Sequence, residues 1–276
     1  MHIQPTPAEL EALTPLNPFG RFPDGRPLVP DEILDRLLQA TTEQAWKTMY
    51  DHEYRSQFEG GWRETHPGRI TVGRAVTAQF LPFRPDFHAV VHQTGMSEGR
   101  SGSGGQNSWV IESLEHRDVM VVDIFGKVED GTVVGDNLGT AVKVRTGAGA
   151  VIDGGIRDYQ GLTLLEDVNF YFRGMDPTPI AGVTLAGINI PVRLGRVTVL
   201  PGDVILGTPT GITAIPPHLA EEVAREAEDT MLRDRFGKLR LAEGRYTSGE
   251  IDVAVWREDI EADFLQWRRS LPATAG

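Results

Sequence analysis

Apolar positions recur with two periods along this 276-residue chain, and the changes of period divide it into elements. After an opening rich in proline and glycine (LTPLNPFGRFPDGRPLVP), helical spacing begins at Pro30-Asp31-Glu32. Ile33, Leu37 and Leu38 share one face, with acids in the first turn. Trp46, Met49 and Tyr50 carry that spacing on to Asp51. Residues 54–67 are irregular, and Arg69 to Leu81 (RITVGRAVTAQFL) alternates in the manner of one long strand or a strand pair. Gly95 to Ser108 (GMSEGRSGSGGQNS) has the most flexible composition and predicts a lid or insertion. It lacks both a Gly-Lys-Ser/Thr and a helix-opening glycine fingerprint, so a phosphate cradle is disfavoured.

Asp118 to Ile124 (DVMVVDI) predicts a buried strand that leads into the organising stretch, Gly135 to Asp158, GDNLGTAVKVRTGAGAVIDGGIRD. Asp136 stands where a short carboxylate caps a helix. That helix should end near Arg145-Thr146-Gly147, a cation followed by glycine. Ala148 to Ile152 then suits a buried strand and Asp153-Gly154-Gly155 a loop, giving a βαβ unit. Arg157-Asp158 thus falls at the strand end where ligands collect in open α/β sheets. Taken one at a time, these charges could equally be a helix cap and a solvated surface pair. Their coincidence at one sheet edge favours a site.

Beyond Asp158 the pattern predicts a helix around 161–167, a strand at Val168 to Phe172, a β-rich region, and a long helix from Pro216-Pro217. Leu219, Val223, Ala227 and Met231 form the apolar face of that helix. Trp256, Ile260, Phe264 and Trp267 make a further helical stripe suited to a core or subunit contact, the latter preferred, and this last helix ends before Pro272. No internal repeat and no linker separates independent domains.

Composition narrows the chemistry. With 40% hydrophobic residues the chain can bury a core, and no apolar run approaches the roughly 20 residues that cross a bilayer. Its N-terminus lacks a charged start and apolar block, so a cytoplasmic, non-membrane protein is expected. The absence of cysteine excludes disulfides, thiolate metal sites and a cysteine nucleophile, leaving oxygen or imidazole to hold any metal. A net charge of -12 with dispersed basic residues argues against nucleic-acid binding. His88 and His92 lie four apart and could share a helix face, but without the Glu of a His-Glu-x-x-His motif they suggest substrate contact or packing.

Asp136, twenty intervening residues and Arg157-Asp158, set within GDNLGTA and AVIDGGIRD, resemble the signature of the RraA-like superfamily. That superfamily holds the 4-hydroxy-4-methyl-2-oxoglutarate aldolases and the ribonuclease E activity regulator. In weaker form the resemblance extends from about Pro30 to about Glu228. It implies a single α/β domain with a layered β/β/α core over residues 30–232, an N-terminal arm (1–29) and a C-terminal extension (233–276) used in oligomer contact. A homotrimer or homohexamer is implied, with sites near subunit interfaces; Glu250 is a candidate acid lent to a neighbour, although a solvated turn fits it better.

Carried over residue by residue, the resemblance assigns a divalent cation, Mg²⁺ or Mn²⁺, to Asp158 and a metal-held water to Asp136. The backbone around Gly135, Asn137 and Leu138 would hold the substrate carboxylate, and Arg157 the keto oxygen. Arg157 and the cation would concentrate positive charge locally in an acidic protein. The implied reaction is cleavage of a 4-hydroxy-2-oxo acid through a pyruvate enolate, with oxaloacetate decarboxylation as a side activity. A sugar-acid dehydratase is an alternative, and a non-catalytic ribonuclease-binding regulator is a second class of function. PGDVILGTPTG (Pro201 to Gly211) also resembles a segment of the fumarylacetoacetate hydrolase family, whose acidic metal cluster is not found elsewhere in the chain; a hydrolase stays a minor alternative. The aldolase-like family usually carries an acid near this turn, where Gly207-Thr208-Pro209 stand here.

Overall fold

Residues 2–100 and 102–271 are described by a computed structural model, and they alternate between helices and strands in the order the periodicity suggests. The arm carries α1 (Pro7–Leu13), and the next helices are α2 (Asp31–Leu37) and α3 (Thr42–Asp51). Two short strands, β1 (Phe58–Glu59) and β2 (Arg63–Glu64), precede the long β3 (Thr71–Pro82). Then come α4 (Pro85–Ser97), α5 (Gln106–Glu112), β4 (Asp118–Asp123), β5 (Thr132–Val134), α6 (Asp136–Thr146), β6 (Gly149–Ile156) and α7 (Tyr159–Leu162). The β-rich region supplies β7 (Asn169–Met175), β8 (Val183–Ile188), β9 (Val192–Leu194), β10 (Val197–Val199), β11 (Val204–Thr208) and β12 (Gly211–Ile215). Finally α8 (Pro217–Ala242), α9 (Ser248–Ile251) and α10 (Glu258–Ser270) close the described chain.

Ten strands form one mixed sheet in the order β1-β12-β11-β3-β4-β6-β7-β2, with β5 added beside β6 and β8 beside β3. The central ladder β3-β4-β6-β7 is parallel. Its strands are buried on both faces, which explains their nearly continuous apolar sequences. Met120, Val122, Ala150, Ile152, Phe170 and Phe172 point to the helices α4 to α7. Val119, Val121, Val151 and Tyr171 point the other way, onto the β9-β10 hairpin. The result is the expected layering of hairpin, sheet and helices. A second part of the helical layer, α2, α3 and α8, covers Val72, Val204, Leu206 and Ile215.

Two local expectations are corrected. β6 does not stop at Ile152 but continues through Asp153-Gly154-Gly155 to Ile156. There β4 has ended and the chain crosses over to return as β5, and it passes very close to β6. A Cβ on Gly154 would lie 2.1 Å from Ile124 Cγ2, and one on Gly155 2.7 Å from Val128 O. The glycines permit this close approach rather than a loop. Similarly, the Gly95–Ser108 stretch is helical at both ends, where α4 runs to Ser97 and α5 starts at Gln106. Gly95 is required within α4 because the Trp109 ring fills its Cβ position, 2.4 Å away.

The arm packs on its own domain. Arg26, 1% exposed, pairs with Asp118 at 3.0 Å and Asp24 at 2.8 Å, and Phe22 stacks under its guanidinium at 4.5 Å. At the other end, α8 runs through position 232, where the extension was expected to begin. Its second half forms a small separate core in which Phe236 meets Trp256, Phe264 and Trp267. The C-terminal apolar stripe is therefore covered within the chain. Expectations for residues 272–276 lie outside the described residues, and among those described no helix is long and apolar enough to cross a membrane.

Removing one member of a buried ion pair strands the other, so Arg26→Met should cost about 3–5 kcal/mol in urea denaturation, with partial recovery on adding Asp118→Asn. A second test concerns Asp203, fully buried in the turn before β11, where burial pushes its carboxyl up to about 7 although Leu200 N–H donates to it at 2.8 Å. Because the folded pKa is raised, stability is lost as pH climbs from the unfolded value of 3.8 towards 7. Asp203→Asn should remove that dependence, gaining about 2–3 kcal/mol on wild type between pH 5 and pH 8 in paired denaturation curves.

Candidate active site at the start of helix α6

Gly135 follows β5 in an extended conformation (φ -115, ψ -165) and opens α6 without a capping side chain. The first N–H groups of a helix have no intrahelical acceptor, and the helix dipole adds positive potential there. Asp136 is the first helical residue and not the cap expected of it. Its Oδ1 accepts from the neighbouring Asn137 N–H at 2.7 Å, and its carbonyl accepts from Thr140 Oγ1 at 2.8 Å. The far end of α6 matches expectation, since Gly147 adopts the left-handed conformation (φ 64) that closes a helix.

Arg157 N–H donates to Val134 O at 3.0 Å, prolonging the β5-β6 ladder by one rung and setting Arg157 beside Gly135. A Cβ on Gly135 would lie 2.3 Å from Asp158 Oδ2 and 3.0 Å from Arg157 Nε. A side chain here would push the Asp158 carboxylate aside, so glycine leaves room for both groups over the helix start. Arg157 Nε and Asp158 Oδ2 are 3.6 Å apart, and each side chain is 43% exposed, so the pair lines an open shelf. Asp158 itself is left-handed (φ 52, ψ 42), a conformation that asparagine and aspartate tolerate best, and it turns the chain into α7. Gly161 of α7 then packs on Asp136, where an added Cβ would be 2.7 Å from Asp136 Cβ.

The structure thus brings Gly135, Asp136, Asn137, Leu138, Arg157 and Asp158 together, as their spacing suggested. Asp136 and Asn137 are exposed, whereas Leu138 is partly buried against the helical-face core. The chemistry available is anion binding by backbone N–H groups, a guanidinium beside it, and two carboxylates of which one, Asp158, stands with the arginine.

The RraA-like family (Aldolase/RraA) matches over residues 32–214, the span that contains all of these elements. This chain belongs to that family. A Halalkalibacterium halodurans protein with the provisional name 4-hydroxy-4-methyl-2-oxoglutarate aldolase is 30% identical over 135 residues, 48% of this chain and 63% of that protein. Thus the chain spans less than two thirds of this relative's length. Among solved structures, Streptomyces coelicolor RraAS2, described as an unusual member of the RNase ES inhibitor RraA protein family, is 25% identical with a TM-score of 0.66. The match covers 81% of this chain and all of that one. An uncharacterised Pseudomonas syringae protein, 21% identical and covering 85% and 97%, shares the fold with a TM-score of 0.67.

Other sequence candidates have neighbours of their own. Glu250 is occupied within its own chain: it accepts from Thr247 N and Oγ1 at 2.8 and 2.9 Å and pairs with Arg257 at 2.6 Å. Pro201 to Gly211 makes a turn, β11 and the start of β12, with Thr208 and Thr210 hydroxyls bonded to Thr42 at 2.6 and 2.7 Å. His88 and His92 do share a face of α4, and they line a cavity together with Gln106, a residue that sequence reasoning did not single out.

Gly135→Ala should leave the backbone unstrained and displace the Asp158 carboxylate by on the order of 1 Å, the shift needed to restore ordinary contact distance. A crystal structure of the variant checks the displacement. Its thermal unfolding should move by no more than about 1 kcal/mol of stability, since both displaced side chains are half-exposed.

Proposed function

We propose that this chain is a divalent-cation-dependent lyase that cleaves a small 4-hydroxy-2-oxo acid to pyruvate and decarboxylates oxaloacetate as a side reaction. The observation that carries this reading is the convergence of Arg157 and Asp158 over the uncapped start of α6, made possible by Gly135. The family match and the 30% identical relative support it.

The donor set suits a hard cation. Among the described residues no group of three or more His, Asp or Glu is arranged to hold a metal. By the family resemblance Asp158 would be the protein's ligand to Mg²⁺ or Mn²⁺, with water and substrate oxygens filling the remaining positions, a habit of Mg²⁺. When bound, the cation supplies positive charge that stabilises a developing oxyanion.

The chain's own residues account for the other steps. The N–H groups at the start of α6, around Gly135 and Leu138, bind the substrate's C1 carboxylate, while that of Asn137 is held by Asp136 Oδ1. The Arg157 guanidinium lies against the C2 keto oxygen and holds the negative charge that reaches it as the C3–C4 bond breaks. Asp136 has one oxygen committed to Asn137 N–H and uses the other to orient the water that takes the C4 hydroxyl proton. An open shelf leaves water access from one side, which suits completion by a second copy in a homotrimer or homohexamer.

A second reading has one observation behind it: the Streptomyces neighbour, matched along its whole length, is described as belonging to a ribonuclease-inhibitor family. Under that reading the same surface would bind a ribonuclease without turnover.

Pyruvate release from oxaloacetate and from 4-hydroxy-4-methyl-2-oxoglutarate separates the two. Release is expected with Mg²⁺, is expected to vanish with EDTA, and should fall by at least about 100-fold in Asp158→Ala. No pyruvate from the intact, metal-loaded protein would eliminate the lyase reading, and co-purification with a ribonuclease would then support the second.

A further inference from the structure

A cavity of about 370 Å³ opens between α4, residues 102–105 and the segment before β8, on the far side of β5 from Arg157. None of Gly135, Arg157 or Asp158 lines it. It is tied to that neighbourhood by Asn107, whose Nδ2 donates to Val133 O at 2.7 Å, two residues before Gly135. Its volume is in the range of small-molecule sites.

Three observations define what it could hold. Its walls are aromatic and aliphatic, with Phe80, Phe83, Trp109 and Val183 among them, and such walls take a flat apolar body. No Asp or Glu lines it among the described residues, in a chain that has 39 of them. Its side-chain polar groups are the amides of Gln106 and Asn107 and the imidazoles of His88 and His92. Gln106 Oε1 accepts from Leu185 N–H at 2.8 Å, which fixes the amide and leaves Nε2 buried without an acceptor. A buried donor in that condition is costly, and a ligand oxygen that reaches it as neighbouring side chains yield on binding would satisfy it. His88 engages Thr184 Oγ1 through Nδ1 at 3.0 Å, leaving Nε2 for a ligand, and His92 stands one helical turn further on.

We propose that this cavity is a second binding site, specific for a small aromatic carboxylate, whose ring lies among Phe80, Phe83 and Trp109 and whose carboxylate accepts from Gln106 Nε2 and the imidazoles. The polar groups are too few for a sugar acid, whose hydroxyls would be buried without partners. The site is independent of the lyase reading, because no residue of the shelf belongs to it.

Ligand-observed saturation-transfer NMR and calorimetry with phenylacetate, and with gluconate as the polyol counterpart, test it on the full chain. Phenylacetate should bind the wild type and gluconate at least about tenfold more weakly, the scale of discrimination that unpaired buried polar groups impose. Gln106→Glu keeps the acceptor for Leu185 N–H while replacing the donor with an oxygen, and it should weaken phenylacetate binding by about tenfold or more. Ala181→Trp, at an exposed rim position, should block the cavity and abolish binding, while Arg157→Ala should leave it unchanged. Absence of phenylacetate binding, equal binding of gluconate, or retention in both Gln106→Glu and Ala181→Trp would overturn the proposal and leave Gln106 Nε2 to an ordered water. Loss in Arg157→Ala would overturn it too, by moving the ligand to the shelf.

Discussion

The hydrogen bond from Arg157 N–H to Val134 O, 3.0 Å long, joins the two ends of the candidate site. It exists because β6 outlasts its neighbour β4 and takes β5 as partner for its last residues. This exchange needs the crossing segment to pass almost in contact with β6, and Gly154 and Gly155 make room for it. The sheet then delivers Arg157 and Asp158 to one side of Gly135 and the start of α6 to the other. Side chains with twenty residues between them in sequence share a shelf as a consequence of backbone geometry.

The remainder of the molecule holds that ladder in place. Its strands are buried on both faces, by helices α4 to α7 on one and the β9-β10 hairpin on the other, so a one-residue slip would turn apolar side chains against the wrong partners. The arm fastens the opposite sheet edge through Arg26, which reaches Asp118 at the first residue of β4. The opposite strand ends, beside the candidate shelf, have polar contacts of their own, among them Arg173 to Asp153 at 2.7 Å. The C-terminal helices keep to a core of their own around Phe236.

The same edge offers two environments separated by a single strand. On one side of β5 lies an open, charged shelf built from backbone N–H groups, an arginine and carboxylates; on the other lies a cavity with aromatic walls and few hydrogen-bonding groups. Their chemistries differ because the first is lined by strand and helix termini, where backbone groups lack partners, and the second by side chains of α4, α5 and β8.

Much of this was legible from residue order. The double-sided burial of DVMVVDI, the end of α6 at Gly147, and the grouping of Gly135, Asp136, Arg157 and Asp158 follow from local periodicity and turn chemistry, which depend on neighbours in sequence. The errors lie where a distant group decides. Asp153-Gly154-Gly155 has loop composition but is strand, because Ile124 and Val128 pass over it. Gly95 looks flexible but is helical, because Trp109 occupies its Cβ position. The cavity was only hinted at by the four-residue spacing of His88 and His92. The orphan donor of Gln106 had no sequence signal at all, since its other end is fixed by Leu185, seventy-nine residues away. Sequence alone determined the elements and the candidate shelf, while tertiary contact decided which glycines serve close packing and where a second pocket forms.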